Sequence, residues 1–295
     1  MVSFVNAKIN IGLQITGRRA DGYHDLQTIF YPVGLYAGTP QNQVSFCDAL
    51  EILPAGMGEG IKLHLSGNPI DCPVEKNLVY KAVCIYLEHR PDLVPDIDIW
   101  LDKHLPDQAG MGGGSADAAF TLRALSELER EFTGFAPTER ELSEMALALG
   151  ADCPYFLLNK PAFASGVGER LTPIPLDLSG KWLMVVKPKI SISTREAFAG
   201  VVPEKPEFDL RTLAKLQVSE WRDCVINAFE KSIFPKYPEL GEIKENLYAS
   251  GAVYASMTGS GSCIYGIFDT EVTGRSAESL FATFPTIEAT WLLRL

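Results

Sequence analysis

A two-lobed α+β architecture is predicted by three features of the 295-residue sequence. The N-terminal part is built of short segments in which apolar and polar residues alternate, and helical periodicity takes over in the middle. Beyond Pro161 strand and helix patterns alternate again. A chain of this length with 46% apolar residues buries one large core or two modest ones meeting at a cleft, because single cores stop growing near ~250 residues. The division is expected near residue 160, giving lobes of residues 1–160 and 161–295.

The first segment alternates cleanly, with Val5, Ala7, Ile9, Ile11, Leu13 and Ile15 on one face and Asn6, Lys8, Asn10 and Gly12 on the other. It predicts a half-buried strand carrying its lysine outward. A charged turn, Gly17-Arg18-Arg19-Ala20-Asp21-Gly22, leads through Tyr23-His24 into a second strand over Leu26 to Val33, so the pair reads as a hairpin. From Val44 to Leu65 short alternating runs are broken by Gly and Pro, and Lys76 to His89 reads as a helix through Leu78, Val79, Ala82, Val83 and Tyr86. Ile97, Ile99 and Leu101 predict a strand that delivers the chain into a glycine-rich segment, Leu105 to Ser115. A helix is expected from Ser115, where Ala118, Ala119, Leu122, Leu125 and Leu128 recur at helical spacing. Thr138-Glu139-Arg140-Glu141 is a capping box for a further helix that Gly150 stops. After Pro161, strands are expected over Trp182 to Val186 and Cys263 to Phe268, with helices over Trp221 to Phe229 and Gly274 to Thr283.

The net charge of -11 disfavours nucleic acid and acidic membranes, so a polyanionic ligand must be held by local geometry and not by a basic face. The six cysteines are scattered, with no C-x-x-C pair and no histidine at ligand spacing, which argues against a zinc site or a disulfide scaffold and for reduced thiols. Asn6, Lys8 and Asn10 interrupt what a signal peptide would need, and no run approaches the ~20 apolar residues of a bilayer span. A cytoplasmic protein is expected.

The glycine segment carries the strongest chemical signal. Gly110, Gly112, Gly113 and Gly114 let backbone N–H groups approach a ligand, and the helix that follows adds unpaired amides and its positive dipole end. Together they suit a phosphate without basic side chains. No Gly-Lys-Ser/Thr ends the loop, and Ser115 stands where a G-x-G-x-x-G pattern needs its last glycine, so neither common nucleotide fingerprint applies. Lys8 and Asn10 share one face of their strand and suit a cleft beside a phosphate, although a solvated lysine satisfies the pattern equally. Asp152, between a helix stop and Pro154, is either a proton acceptor or a turn and capping aspartate. Thr258-Gly259-Ser260-Gly261 is either a plain hairpin turn or a loop packed tightly against a second loop.

These stretches, in this order, resemble the GHMP kinase superfamily. The matching motifs are Asn6-Ala7-Lys8-Ile9-Asn10, Pro106 through Ala119, and Thr258-Gly259-Ser260-Gly261. Gly17 to His24, Leu149 to Pro154 and Gly166-Val167-Gly168-Glu169 are similar to the branch of that superfamily whose substrate is a cytidine diphosphate-linked polyol. The resemblance spans nearly the whole chain. It implies an N-terminal lobe of ribosomal-protein-S5-like type and a ferredoxin-like C-terminal lobe.

The resemblance further implies an ATP-dependent kinase, with Mg²⁺, that phosphorylates the 2-hydroxyl of diphosphocytidyl methylerythritol in isoprenoid precursor synthesis. It implies Lys8 and Asp152 as the catalytic pair. The nucleotide would be held by Lys103, Pro106, Ala109, Gly110, Met111, Gly112, Gly113, Gly114, Ser115 and Ala116. The substrate would be held by Asn10, Tyr23, His24, Gly166, Val167, Thr194 and Phe198, with Tyr23 and Phe198 flanking the cytosine ring and His24 bonding its edge. By residue pattern alone an aromatic pair is more often core. Ser115-Ala116 stands where many members have two serines, and Asp117 where asparagine is frequent, so one hydroxyl is missing beside the phosphates. A monomer or homodimer that binds neither nucleic acid nor membrane is expected. The open alternatives are a GHMP kinase acting on homoserine or mevalonate, and a non-catalytic nucleotide- or RNA-binding module.

Overall fold

The computed structural model describes residues 2–34, 46–56, 58–70, 72–90 and 96–295. In chain order the elements are β1 (Val2–Arg18), β2 (His24–Val33), β3 (Cys47–Pro54), β4 (Ile61–Gly67), α1 (Leu78–His89), β5 (Ile97–Lys103), α2 (Gly113–Thr133), α3 (Glu139–Leu149), α4 (Cys153–Leu158), β6 (Ala162–Gly166) and β7 (Arg170–Pro173). They continue with β8 (Trp182–Pro188), α5 (Thr194–Gly200), α6 (Glu230–Ile233), α7 (Pro238–Ala249), β9 (Tyr254–Met257), β10 (Ile264–Phe268), α8 (Glu271–Phe281) and β11 (Ile287–Arg294). The run expected from Val44 begins outside the described residues and is a strand from Cys47.

Two sheets carry the fold. The first has seven strands in the order β4-β5-β3-β1-β2-β6-β7, and the second four in the order β11-β8-β10-β9. Taken along the chain, the second reads 4-1-3-2 with helices after its first and third strands, which is the expected ferredoxin-like arrangement. β1 and β2 form the predicted antiparallel hairpin, with Ala7 opposite Val33 and Arg18 opposite His24. β6 and β7 lie beyond residue 160 yet extend the first sheet through β2, with Leu26 opposite Gly166. The first sheet therefore runs to Pro173, past the expected division.

The lobes are joined by apolar packing. Ala7, Ile9 and Ile11 of β1 share one core cluster with Leu183, Val185, Tyr265 and Ile267 of the second sheet. A second cluster lies between the first sheet and α1, α2 and α4, and a third under α7 and α8. Each buried Val, Leu or Ile side chain there contributes roughly 1.5–3 kcal/mol. This overturns the half-buried strand: Lys8 is 3% exposed, because its face of β1 is also covered. Gly12, at φ +64°, sits at a register shift between Ile11 and Leu13, and a Cβ there would lie 2.8 Å from Leu210.

Helix ends follow the sequence at α3 and depart from it elsewhere, α1 starting at Leu78 and not Lys76 and α8 running over Glu271–Phe281 and not Gly274 to Thr283. Thr138 and Glu141 form both bonds of the capping box, and α3 ends at Gly150 as expected. α2 begins at Gly113 and not Ser115, with Gly112 as its left-handed cap at φ +74°. Trp221 to Phe229 is not a helix, despite buried Trp221, Val225 and Phe229 at helical spacing. Its backbone bonds to β1 instead: Leu13 N donates to Ile226 O at 2.9 Å and Ala228 N to Leu13 O at 2.7 Å. The chain makes a single turn, Val225 N to Trp221 O at 2.8 Å, and the bonds to Leu13 then end it, overriding the local periodicity.

Candidate active site

β5 ends at Lys103, and the chain must reverse before α2. Asp48 of β3, fully buried, fixes the start of that reversal by accepting from the amides of His104 at 2.6 Å and Leu105 at 2.8 Å. The loop then runs against two other elements. Lys8 N donates to Met111 O at 3.0 Å. Thr258 Oγ1 donates to Gly110 O at 3.1 Å. At Gly110, φ is +71° and a Cβ would stand 2.0 Å from Thr258 O, so only glycine permits this approach. Of the two readings open for Thr258–Gly261, the tightly packed loop is the one observed.

The first backbone bond of α2 runs from Ala116 N to Gly112 O, 2.9 Å. The amides of Gly113, Gly114 and Ser115 therefore precede the intrahelical ladder and face outward at the positive end of a 21-residue helix. They open into a cleft of about 780 Å³. The cleft is lined by Lys8, Asn10, Tyr23, His24, Lys103, Pro106, Ala109 through Ser115, Asp152, Val167, Thr194 and Phe198.

Two expected residues fall outside it. Ala116 is fully buried, with its amide spent on Gly112, so neither its side chain nor its backbone reaches a ligand. The hydroxyl that this position lacks would have pointed into the core. Gly166 forms the turn in which Glu169 Oε2 accepts from Val167 N at 2.7 Å, and it is Val167 that enters the wall.

Asp152 sits at the N-cap position of α4, followed by Cys153 and Pro154, but its side chain makes no capping bond. Its Oδ2 instead lies 3.4 Å from Lys8 Nζ. The lysine is held from several sides: it donates to Asn10 Oδ1 and to Gly110 O at 3.3 Å, and stands 4.8 Å from the centroid of the Phe30 ring. Burial pulls its pKa below the ordinary lysine value, and the charge and hydrogen bond of Asp152 restore only part of the loss. Asn10 has both ends of its amide occupied, by Lys8 and by Thr28.

Lys103 is paired with Asp48 and, at 2.7 Å, with Asp117 Oδ2. Burial lowers the ammonium pKa, but the two carboxylates more than offset it and leave the group above its usual value. Asp117 shows the opposite balance. Burial, reinforced by Asp48, pushes it up to about 7 against the pull of Lys103. Its Oδ1 is buried with no hydrogen-bond partner among the described residues. One cation and two carboxylates beneath the helix end make Lys103 a structural cation first; its reach toward a nucleotide is limited to the part of it that lines the cleft.

At the opposite end, His24 stacks on Phe198 with ring centroids 5.0 Å apart and 27° between planes. Phe198 also meets Phe229 edge to face at 4.9 Å. Tyr23 is 66% exposed. Thr194 Oγ1 and Ser260 Oγ are 3.5 Å apart, tying α5 to the Thr258–Gly261 loop.

Sequence reasoning missed one wall of the cleft. Asn68, Ile70, Cys72, Lys76 and Leu78 line it beside Lys103 and Leu105. Asn68, Ile70, Cys72 and Lys76 lie on a Gly/Pro-broken connection whose residue types carry no chemical pattern, and Leu78 opens α1, where it was read as an apolar helix position only. Among the described residues no group of three or more His, Cys, Asp or Glu side chains could hold a metal ion, all six cysteines are free, and no helix is long and apolar enough to cross a membrane.

Two family models match the chain: GHMP kinases N terminal domain over residues 77–160 and GHMP kinases C terminal over residues 201–281. The 4-diphosphocytidyl-2-C-methyl-D-erythritol kinase of Bacteroides fragilis is 46% identical over 284 residues, spanning 95% of this chain and 97% of its own. A crystal structure of a 4-(cytidine 5'-diphospho)-2C-methyl-D-erythritol kinase is similar at a TM-score of 0.79 and 32% identity, covering 99% of this chain and 98% of the other. A homoserine kinase from Cytophaga hutchinsonii reaches a TM-score of 0.65 at 15% identity over 100% of this chain and 95% of the other, a likeness of fold alone.

Proposed function

Since the chain belongs to the GHMP kinases, and within them to the 4-diphosphocytidyl-2-C-methyl-D-erythritol kinases, we propose that its cleft transfers a phosphoryl group from ATP to the 2-hydroxyl of diphosphocytidyl methylerythritol. The observation that carries this reading is that the free amides of Gly113, Gly114 and Ser115 and the Lys8–Asp152 pair open into one cleft. The donor set fits a triphosphate: three helix-end N–H groups and a dipole end, with glycines that leave the approach clear.

In this reading ATP supplies the phosphoryl group, and the protein supplies position and charge, as phosphoryl transfer requires. The helix-end amides hold the phosphates. Lys8, kept as an ammonium by Asp152 and Asn10, neutralises charge at the transferred group. Asp152, 35% exposed at its side chain and free of a capping role, receives the proton of the substrate hydroxyl. Tyr23, His24 and Phe198 provide aromatic surface for the cytosine ring, and Val167 and Thr194 line the path between. Mg²⁺ is proposed to enter on the β and γ phosphates of the nucleotide. We place the enzyme in the cytoplasm, as a monomer or homodimer that its charge of -11 keeps from nucleic acid.

An ADP-release assay tests the reading. Release is expected with diphosphocytidyl methylerythritol and Mg²⁺, not with homoserine or mevalonate, and CDP is expected to compete with the alcohol substrate. Equal turnover of homoserine, or indifference to CDP, would exclude it.

A further inference from the structure

The Lys8–Asn10 contact has a polarity that its neighbours impose. Lys8 can only donate, so the Asn10 amide must turn its oxygen toward the ammonium and its NH₂ the other way. There it meets Thr28 Oγ1 at 3.0 Å, which must accept, and the hydroxyl proton then goes to Gly12 O at 2.5 Å. Thr28 is completely buried, on β2 opposite Leu13, and Gly12 lies at the register shift of β1. The series thus runs with one polarity from Lys8 through Asn10 and Thr28 to Gly12 O, the Ile29 carbonyl at 3.5 Å being the more distant acceptor for the hydroxyl.

We propose that Thr28 is a positioning residue for Lys8: its hydroxyl anchors the NH₂ end of the Asn10 amide, so that the carbonyl end stays fixed on the lysine and holds the ammonium against Asp152. The proposal rests on the reading that Lys8 and Asp152 flank the transferred phosphoryl group. Without the hydroxyl, the Asn10 NH₂ loses that acceptor, and the carbonyl is held toward Lys8 by the lysine alone. Asp152, ahead of α4, is the titratable group facing the ammonium; the Phe30 ring from β2 and the Gly110 carbonyl close other sides. A loosened Asn10 withdraws a contact that favours the charged form, so Lys8 would lose its proton at lower pH.

The test compares Thr28→Val, which removes the hydroxyl at nearly constant volume, with Thr28→Ser and Lys8→Met. Thr28→Val is expected to lower kcat about tenfold, the worth of one buried hydrogen bond, with KM for ATP and for the alcohol unchanged. The alkaline limb of its kcat–pH profile moves to lower pH, and Thr28→Ser restores both properties. A wild-type kcat and pH profile in Thr28→Val, beside an inactive Lys8→Met, overturns the proposal while leaving the functional reading intact. Loss of thermal stability and KM without movement of the alkaline limb, unrescued by serine, also overturns it. An active Lys8→Met removes the functional reading and this inference with it. Should Thr28→Val not fold, Thr28→Cys, a weaker acceptor of similar size, is expected to show an intermediate kcat and limb, and a wild-type profile there counts against the proposal.

Discussion

The Lys8 ammonium lies 3.4 Å from the Asp152 carboxylate, although the lysine side chain is 4% exposed and the aspartate 35%. The pair is asymmetric: a buried cation pinned by protein groups faces an anion open to the cleft. That asymmetry is what the proposed reaction needs, an Asp152 open to a substrate hydroxyl beside a fixed Lys8 that balances its charge from behind.

Asp152→Asn keeps the shape of the side chain and removes the proton acceptor. Turnover is expected to fall by about 10²–10⁴, with ATP affinity little changed because the helix-end amides are untouched. Steady-state kinetics with calorimetric ATP titration would check this, and near-normal kcat would reassign the proton to another group.

Gly110→Ala and Gly22→Ala separate two costs of a left-handed glycine. At Gly22, φ is +87° and no atom of the described residues lies within 4 Å of an added Cβ, so the expected loss is strain alone, roughly 1–2 kcal/mol. At Gly110 the same strain adds to a Cβ 2.0 Å from Thr258 O, which must push apart the two loops at the phosphate end. Thermal unfolding should show the larger drop for Gly110→Ala, with ATP binding lost; equal drops would refute the steric account.

Asp117 ties stability to pH. Its carboxyl, pushed up to about 7 in the fold, binds its proton more tightly there than in the unfolded chain. Between the ordinary aspartate value and about 7 the folded state therefore holds the extra proton, and stability falls as pH rises through that window. Asp117→Asn, which keeps an oxygen for Lys103, removes this dependence. Its melting temperature relative to wild type should rise from pH 5 to pH 8, and parallel curves would show that Asp117 does not titrate there.

Phe198→Ala removes one face of the aromatic end of the cleft and the partner of His24. Stacking on an aromatic side chain is worth about 1–3 kcal/mol per base, so KM for the diphosphocytidyl substrate should rise by roughly 5- to 150-fold. KM for ATP should hold, and inhibition by CDP should weaken in parallel. A change confined to the ATP constants would move the base elsewhere.

The free amides at the start of α2, proposed to hold phosphate, were legible in the chain because they depend on consecutive residues. Glycine spacing and the helix that follows set which amides are free, and neither depends on distant contacts. The error of two residues in the start of α2 changed which groups lead the helix, not the direction they face. Lys103 was less legible. Its partners Asp48 and Asp117 lie 55 and 14 positions away, and no local pattern showed that a residue lining the cleft would also sit in a buried ionic cluster. Trp221 to Phe229 was misread because helical spacing of apolar residues reports burial, while the backbone bonds of Leu13 decided the conformation.

By itself the sequence determined the strand with Lys8 and Asn10 on one face, the amides at the start of α2 and the capped entry to α3, all products of dihedral preference and local hydrogen bonding. Tertiary structure alone decided that both faces of β1 are buried, that Asp152 leaves its cap to face Lys8, and that Thr258 closes on Gly110. Those outcomes depend on two sheets meeting across a shared core, and a contact between residues up to 148 positions apart is set by packing energy that no local window contains.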